Sequence, residues 1–172
     1  MTCIVGIASE GVVYIGGDRG LSDSDSILSM PRSKVVRNGE YLIGYAGSLG
    51  VGQLLQMIDL PIPGRNPEMT LRTTFTKAYK NSLEEYGPAA ITEENDTDFL
   101  IGVKGKLYEY SIADCSVAEV EYSAVGSGSP IALGSLYTSN NYKDIHKRIK
   151  IALEAACMLS PTCQLPIDII KL

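Results

Sequence analysis

The sequence predicts an α+β fold in which two β-sheets stack face to face and helices cover the outer side of each. Three observations lead there. The elements run strands, two helices, strands, two helices, strand, with no internal repeat and no linker, so residues 1–172 read as one domain. The first two strand segments, Cys3–Ala8 and Val12–Gly17, are apolar at nearly every position, as strands covered on both faces must be. Apolar residues at helical spacing then recur in pairs of segments between the strand groups.

In order, Ser9-Glu10-Gly11 is a turn between the first two strands. Leu21–Pro31 is polar and rich in Ser and Asp, and reads as a loop. Lys34–Arg37 and Glu40–Ala46 flank Asn38-Gly39, a two-residue hairpin signal. Ala46-Gly47-Ser48 leads into a helix with Val51, Leu54, Leu55 and Ile58 on one face and Ser48 as its cap. Leu60-Pro61-Ile62-Pro63-Gly64 stops it. Asn66-Pro67 starts a second helix, with Leu71, Phe75, Ala78 and Ser82 as its expected inner face. Gly87-Pro88 should close that helix, and Ala89–Asp96 reads as a loop. Thr97–Val103, Lys106–Ile112 and Val117–Val125 read as three strands, the first two joined at Lys104-Gly105. Gly126-Ser127-Gly128-Ser129-Pro130 is a second strand-to-helix junction, with Ser129 as the expected cap of a helix to about Tyr137. A helix over Tyr142–Leu159, with Ile145, Ile149, Ala152, Leu153 and Ala156 inward, precedes a final strand, Ile167–Leu172.

Composition narrows the chemistry. A net charge of −5 argues against nucleic acid as a partner, and the one basic run, His146-Lys147-Arg148 with Lys150, reads as a solvated helix face. No apolar run is long enough to cross a membrane, and no basic-then-apolar start marks a signal peptide. Cys3, Cys115, Cys157 and Cys163 lack metal-site spacing, so no metal or cofactor is expected, and a reduced, cytoplasmic setting fits. Cys157 and Cys163 read as core residues or as neighbours at a helix end. His146 is the only histidine and lies in a polar helical context, so a hydrolase of this sequence needs another base.

Thr2 can supply one. Initiator Met before a small residue is commonly removed, leaving an α-amine beside the hydroxyl of the same residue. Such an amine has a pKa of about 7.7–8.0 and is partly neutral at neutral pH. Threonine with its own amine is a nucleophile–base pair. Asp18 and Lys34 follow Thr2 at intervals of sixteen residues. If the first two strands form a hairpin, Asp18 returns to Thr2. A lysine there favours the deprotonated hydroxyl and lowers the amine pKa, and the aspartate keeps that lysine charged and oriented. Gly47, at a strand-to-helix turn, offers a backbone N–H to a developing oxyanion. Gly126-Ser127-Gly128-Ser129 reads as a second such junction. No P-loop lysine follows it, so a serine that positions the amine or a water is the better reading.

Thr2-Cys3-Ile4-Val5-Gly6-Ile7, Gly16-Gly17-Asp18-Arg19, Lys34-Val35, Gly44-Tyr45-Ala46-Gly47-Ser48 and Gly126-Ser127-Gly128-Ser129-Pro130 occur in this order over nearly the whole chain. Together they resemble the proteasome β-subunit family of N-terminal nucleophile hydrolases. The length and the lack of a propeptide are most similar to the bacterial HslV peptidases. The resemblance implies a four-layer αββα sandwich and a homo-oligomeric ring, six- or seven-fold and possibly stacked, with an AAA+ unfoldase as partner class and peptides or unfolded proteins as substrates. It implies Thr2 as nucleophile, Asp18 and Lys34 as charged supports, Gly47 as oxyanion donor, and Ser127, with Ser129, as partners of the amine. It places Ser22 where backbone aligns a substrate strand, and Tyr45 where the first specificity pocket is shaped, which disfavours a roomy apolar pocket there. The chain departs from the family after its last long helix: Cys157-Met158-Leu159-Ser160-Pro161-Thr162 contains no acid, Asp144 lies upstream and Asp168 downstream. Ser160 is one substitute for it. The ending Pro166–Ile170 also differs from that of HslV, which weakens the case for the usual HslU partner. Two other functions fit the same residues: an inactive proteasome-fold protein with a structural or assembly role, and an amidase for small molecules.

Overall fold

The computed structural model describes residues 2–22, 26–86 and 97–172, with only the backbone of Ser22. Strands β1 (Ile4–Ser9) and β2 (Val12–Asp18) form the predicted hairpin, turned by Glu10 and Gly11, both at positive φ. They occupy the middle of a four-stranded sheet. The short strands β3 (Gly20–Ser22) and β4 (Ile27–Ser29) pair as a small separate hairpin, within what reads as a plain loop in sequence. Strands β5 (Val35–Asn38) and β6 (Tyr41–Ala46) pair so that the turn residues are Gly39 and Glu40, one position beyond Asn38-Gly39. Then come α1 (Leu49–Met57), α2 (Pro67–Thr70), a π-helical turn over Leu71–Phe75 and α3 (Thr76–Tyr86). Strands β7 (Asp98–Val103), β8 (Lys106–Ser111), β9 (Val117–Val120) and β10 (Tyr122–Val125), helices α4 (Ser129–Thr138) and α5 (Ile145–Leu159), and β11 (Ile167–Lys171) complete the order. The expected helix end at Gly87-Pro88 and the Ala89–Asp96 loop lie outside the described residues.

The sheets run β10-β1-β2-β11 and β5-β6-β7-β8-β9, giving the four-layer αββα sandwich. Side-chain alternation explains the layers. From β1 and the residue before it, Cys3, Val5 and Ile7 face α4 and α5, whereas Ile4 faces the other sheet. From β6, Tyr41, Ile43 and Tyr45 face α1 and α3, whereas Leu42 and Ala46 face the first sheet. Both faces of β1 and of β6 are therefore covered, which accounts for their unbroken apolar runs. Each fully buried branched side chain contributes roughly 1.5–3 kcal/mol.

Four further expectations change. Val117–Val125 is two strands: β9 edges the second sheet and β10 the first, with the chain crossing between layers at Glu121. The last helix begins at Ile145, because the Asp144 carboxylate accepts the Lys147 N–H and caps it there. Arg148 in the basic run is buried, donating to the Leu136 carbonyl and to Asn140 Oδ1. The second helix keeps its Asn66 cap, but the π-helical turn adds one residue to its winding. The inner face after Phe75 therefore passes to Thr76, Tyr79 and Leu83 instead of Ala78 and Ser82.

Arg19 and Asp168 fasten β11 beside the exit of β2. Arg19 donates through Nε to Asp168 Oδ2 at 2.7 Å and through a terminal nitrogen to Oδ1 at 2.6 Å. The Arg19 guanidinium holds the Asp168 carboxyl below the usual carboxylate range. A depressed folded-state pKa means that this stabilisation is present above the unfolded pKa and is lost as pH falls through the folded one. Asp168→Asn should therefore cost about 1–2 kcal/mol at pH 7 in urea unfolding. The gap to the parent should close on acidification past the depressed pKa.

Candidate active site

The β1/β2 register pairs Ile4 with Gly17, so Asp18 comes to lie beside Thr2 and Cys3. Lys34 enters from the other sheet, in the residue before β5, and a Cβ on Gly17 would stand 3.2 Å from Val35 of that strand. The sixteen-residue intervals thus reflect a hairpin followed by a layer crossing, and all three residues are buried.

The hydrogen bonds there are directional. Lys34 Nζ donates to Thr2 Oγ1 at 2.7 Å, to Asp18 Oδ1 at 3.1 Å and to the Gly20 carbonyl, which uses its three protons. Asp18 Oδ1 also accepts the Cys3 N–H at 2.9 Å, and Oδ2 accepts the N–H groups of Gly20 at 2.8 Å and Gln164 at 3.1 Å. Burial pulls the Lys34 pKa down, and the Asp18 carboxylate opposes that shift without cancelling it. An ammonium 2.7 Å from a threonine hydroxyl stabilises its deprotonated form. Burial pushes the Cys3 and Cys163 thiols up and the Cys157 thiol to about 12, so these sulfurs stay protonated beside the site.

A second set of bonds holds the backbone of Thr2. Its N–H donates to Ser127 Oγ at 3.2 Å, and its carbonyl accepts the Gly128 N–H at 3.2 Å and the Ser127 hydroxyl at 3.4 Å. Gly126 makes this approach possible, with φ +92° and room for no side chain: a Cβ there would lie 2.3 Å from the Thr2 carbonyl oxygen.

Gly47, exposed and at φ +130°, follows Ala46, whose Cβ lies 2.9 Å from where a Gly126 Cβ would be. Ser129 is the first residue of α4 and not its cap, which is Gly128. Its N–H donates to the Gly126 carbonyl, and among the described residues no hydrogen bond joins it to Thr2 or Ser127. Ser48 holds the cap position of α1 without a capping bond, and its N–H donates to Thr97 Oγ1. Ser22 pairs with Ile27 across the β3–β4 hairpin, two residues from the Gly20 carbonyl that Lys34 uses. Tyr45 is buried against Gly52 of α1 and lines a cleft of about 260 Å³ with Met30, Arg32, Val36, Gln53 and Met57. Asp168 is taken up by Arg19 and is not an acid for the Thr2 nitrogen.

Thr162, not among the residues expected from the sequence, also belongs to the site: its Oγ1 lies 2.7 Å from Ser127 Oγ and 2.9 Å from Ser160 Oγ. The backbone of Gly20 and Gln164 likewise joins the site, without a signal in the sequence. The one available signal is a cluster of hydroxyls, Ser160-Pro161-Thr162, directly after an apolar helix end. No group of residues fit to hold a metal ion occurs among the described residues.

Known proteins resemble the chain in both sequence and fold. It is 30% identical over 168 residues to a proteasome subunit beta of Parafrankia sp. (strain EAN1pec), covering 90% of this chain and 60% of that protein. It is 30% identical over 151 residues to a proteasome subunit beta of Frankia casuarinae, covering 78% and 53%. The chain thus spans only part of the length of these curated relatives. No family model matches it. Among solved structures, BPH of Thiobacillus denitrificans in complex with epoxomicin superposes with a TM-score of 0.81 at 19% identity, covering 99% of this chain and 98% of that one. Eukaryotic HslV from Trypanosoma brucei superposes with a TM-score of 0.72 at 17% identity, covering 99% of each.

Gly126→Ala should cost about 2 kcal/mol or more in thermal or urea unfolding, because the left-handed backbone and the clash with Thr2 add. Gly134→Ala in α4, where a Cβ meets nothing within 4 Å, should be neutral or slightly stabilising.

Proposed function

We propose that this chain, which belongs to the proteasome β-subunit/HslV-like family of N-terminal nucleophile hydrolases, is a threonine peptidase subunit of a homo-oligomeric ring. The observation that carries the reading is the 2.7 Å hydrogen bond from Lys34 Nζ to Thr2 Oγ1, made by an ammonium paired with buried Asp18.

The chemistry begins with hydrolysis of the Met1–Thr2 peptide bond, which turns the Thr2 nitrogen into an α-amine. The neutral amine takes the proton of Thr2 Oγ1, and the oxygen attacks the scissile carbonyl carbon. Lys34 stabilises the negative charge on Oγ1 as it forms, and the Gly47 N–H donates to the carbonyl oxygen as it becomes an oxyanion. Collapse breaks the C–N bond, and the ammonium of Thr2 returns its proton to the leaving amine. A water, deprotonated by the same amine, then cleaves the ester on Thr2 and restores the hydroxyl. Ser127 holds the nitrogen through its Oγ. Ser129 supports the amine only through the turn it closes onto Gly126. The backbone of Ser22, in a hairpin paired on one side only among the described strands, adds a substrate strand, and the cleft beside Tyr45 receives a side chain. A six- or seven-fold ring, an AAA+ unfoldase and the cytoplasm are the assembly, partner and place that complete this reading. No helix of the described residues is long and apolar enough to cross a membrane.

Intact mass should show loss of Met1, and the processed protein should hydrolyse short fluorogenic peptides. Thr2→Ala should abolish turnover, and epoxomicin should inhibit it. Lys34→Met should lower kcat/KM by about three orders of magnitude or more, because it removes the charge beside the nucleophile. The acid limb of kcat/KM against pH should lie below the ordinary α-amine value of about 7.7, because positive Lys34 disfavours a second nearby cation. A folded ring that retains Met1 and turns over no peptide would overturn the reading in favour of a structural role.

A further inference from the structure

Resting on the peptidase reading, we infer that the cleft beside Tyr45 selects substrates with a glutamate before the scissile bond, and that Gln56 and Arg32 set this specificity. The cleft adjoins the proposed nucleophile's supports: Arg32 lies two residues before Lys34, and Tyr45 two before Gly47. Helix α1 supplies one wall, because Gln53, Gln56 and Met57 share a helix face at i, i+3 and i+4. Val36, Tyr45 and Met57 give an aliphatic stem an apolar lining.

The polar groups decide what the stem should carry. Gln56 Nε2 is buried and has no hydrogen-bond partner. An unpaired interior donor is costly, and a ligand that brings an acceptor recovers that cost. The terminal torsion of glutamine is broad, so the amide can turn into the cleft without strain. Arg32 is exposed on the same lining, and among the described residues it makes no hydrogen bond or ion pair. Ser33 is already engaged, its Oγ accepting the Val35 N–H at 3.0 Å. Among the described residues no carboxylate lines the cleft. An unpaired amide donor and an unpaired cation call for an acceptor head that bears negative charge. A basic side chain would set a second cation against Arg32, and an aliphatic one would leave the Gln56 amide unpaired. Glutamine would satisfy Gln56 alone, whereas glutamate answers both groups. Because Arg32 is exposed, its share of the preference is small and screened by salt, whereas the buried hydrogen bond is not.

The test uses processed full-length protein, with Met1 removed in the cell or by cleavage of an N-terminal fusion. Fluorogenic peptides that differ only in having Glu, Gln, Met or Lys before the scissile bond are compared by kcat/KM. Glu should exceed Gln by about three-fold and the unbranched apolar Met by about ten-fold, with Lys last. Raising salt from about 0.01 M to about 1 M should erase the margin of Glu over Gln and keep that of Gln over Met. Gln56→Met should collapse the Gln-to-Met ratio to about one. Arg32→Glu should reverse the order of Glu and Lys, a gain that misfolding would not produce. A second arm reads fluorescence anisotropy of labelled product-like peptides ending in Glu or Met, where Glu should bind about ten-fold more tightly. That arm needs no turnover: if no peptide is cleaved, the peptidase reading fails and the binding ratio still decides this inference. Met equal to or better than Glu in either arm, or an Arg32→Glu protein that keeps the parental order, would overturn it.

Discussion

The buried pair of Asp18 and Lys34 is the constraint to which the rest of the structure answers. An ammonium and a carboxylate removed from water cost several kcal/mol each unless nearly every donor and acceptor is matched. Here the match is complete on the lysine side, and four N–H or ammonium groups converge on the carboxylate. Those donors come from the start of β1, from Gly20 at the exit of β2, from Gln164 before β11 and from Lys34 at the entry to the second sheet. The arrangement exists only when both sheets are stacked in register. Site and sandwich therefore form together, and removing either charge would strand the other, a loss of roughly 3–5 kcal/mol.

Packing sets how closely the two sheets can stand. Gly44 of β6 faces Ile4 and Ile15 across the inter-sheet core, and any Cβ there would lie within 2.6 Å of Ile4. Gly6 of β1 meets Leu107 of β8 in the same way. These small residues let Lys34, on one layer, reach Thr2 on the other. On the outer side of the first sheet, Cys3, Cys163 and Ala156 crowd Gly128, whose N–H holds the Thr2 carbonyl. The thiols act there as small apolar fillers, and burial keeps them protonated.

Much of this was legible in the sequence, because the informative features are local or periodic. The doubly apolar strands, the Glu10-Gly11 turn, the Asn66-Pro67 helix start and the equal intervals from Thr2 to Asp18 to Lys34 each carry their own physical signature. What was not legible depends on long-range pairing. The break at Glu121 has no turn signal, because the chain there changes layers without reversing. The β3–β4 hairpin is too short and polar to show alternation. Ser129 resembles a cap because serine prefers that position, yet the close turn at Gly126 moves the helix start so that Gly128 takes it. Thr162 has meaning only through Ser127, 35 residues earlier, a separation that no pattern in the sequence encodes.

The π-helical turn at Leu71–Phe75 has a consequence for how chains of this kind are compared. It places Phe75 and Thr76, adjacent in sequence, both against the core, where Phe75 packs on Tyr41 and Tyr110 and Thr76 shares a hydrogen bond with the Tyr110 hydroxyl. A relative one residue shorter at this point would wind as a regular α-helix and bury the same number of side chains. A gap there would then mark a change in winding with no change in the surrounding sandwich. Matching such chains by helix face, rather than by unbroken residue count, would keep Tyr79 and Leu83 aligned with their structural counterparts.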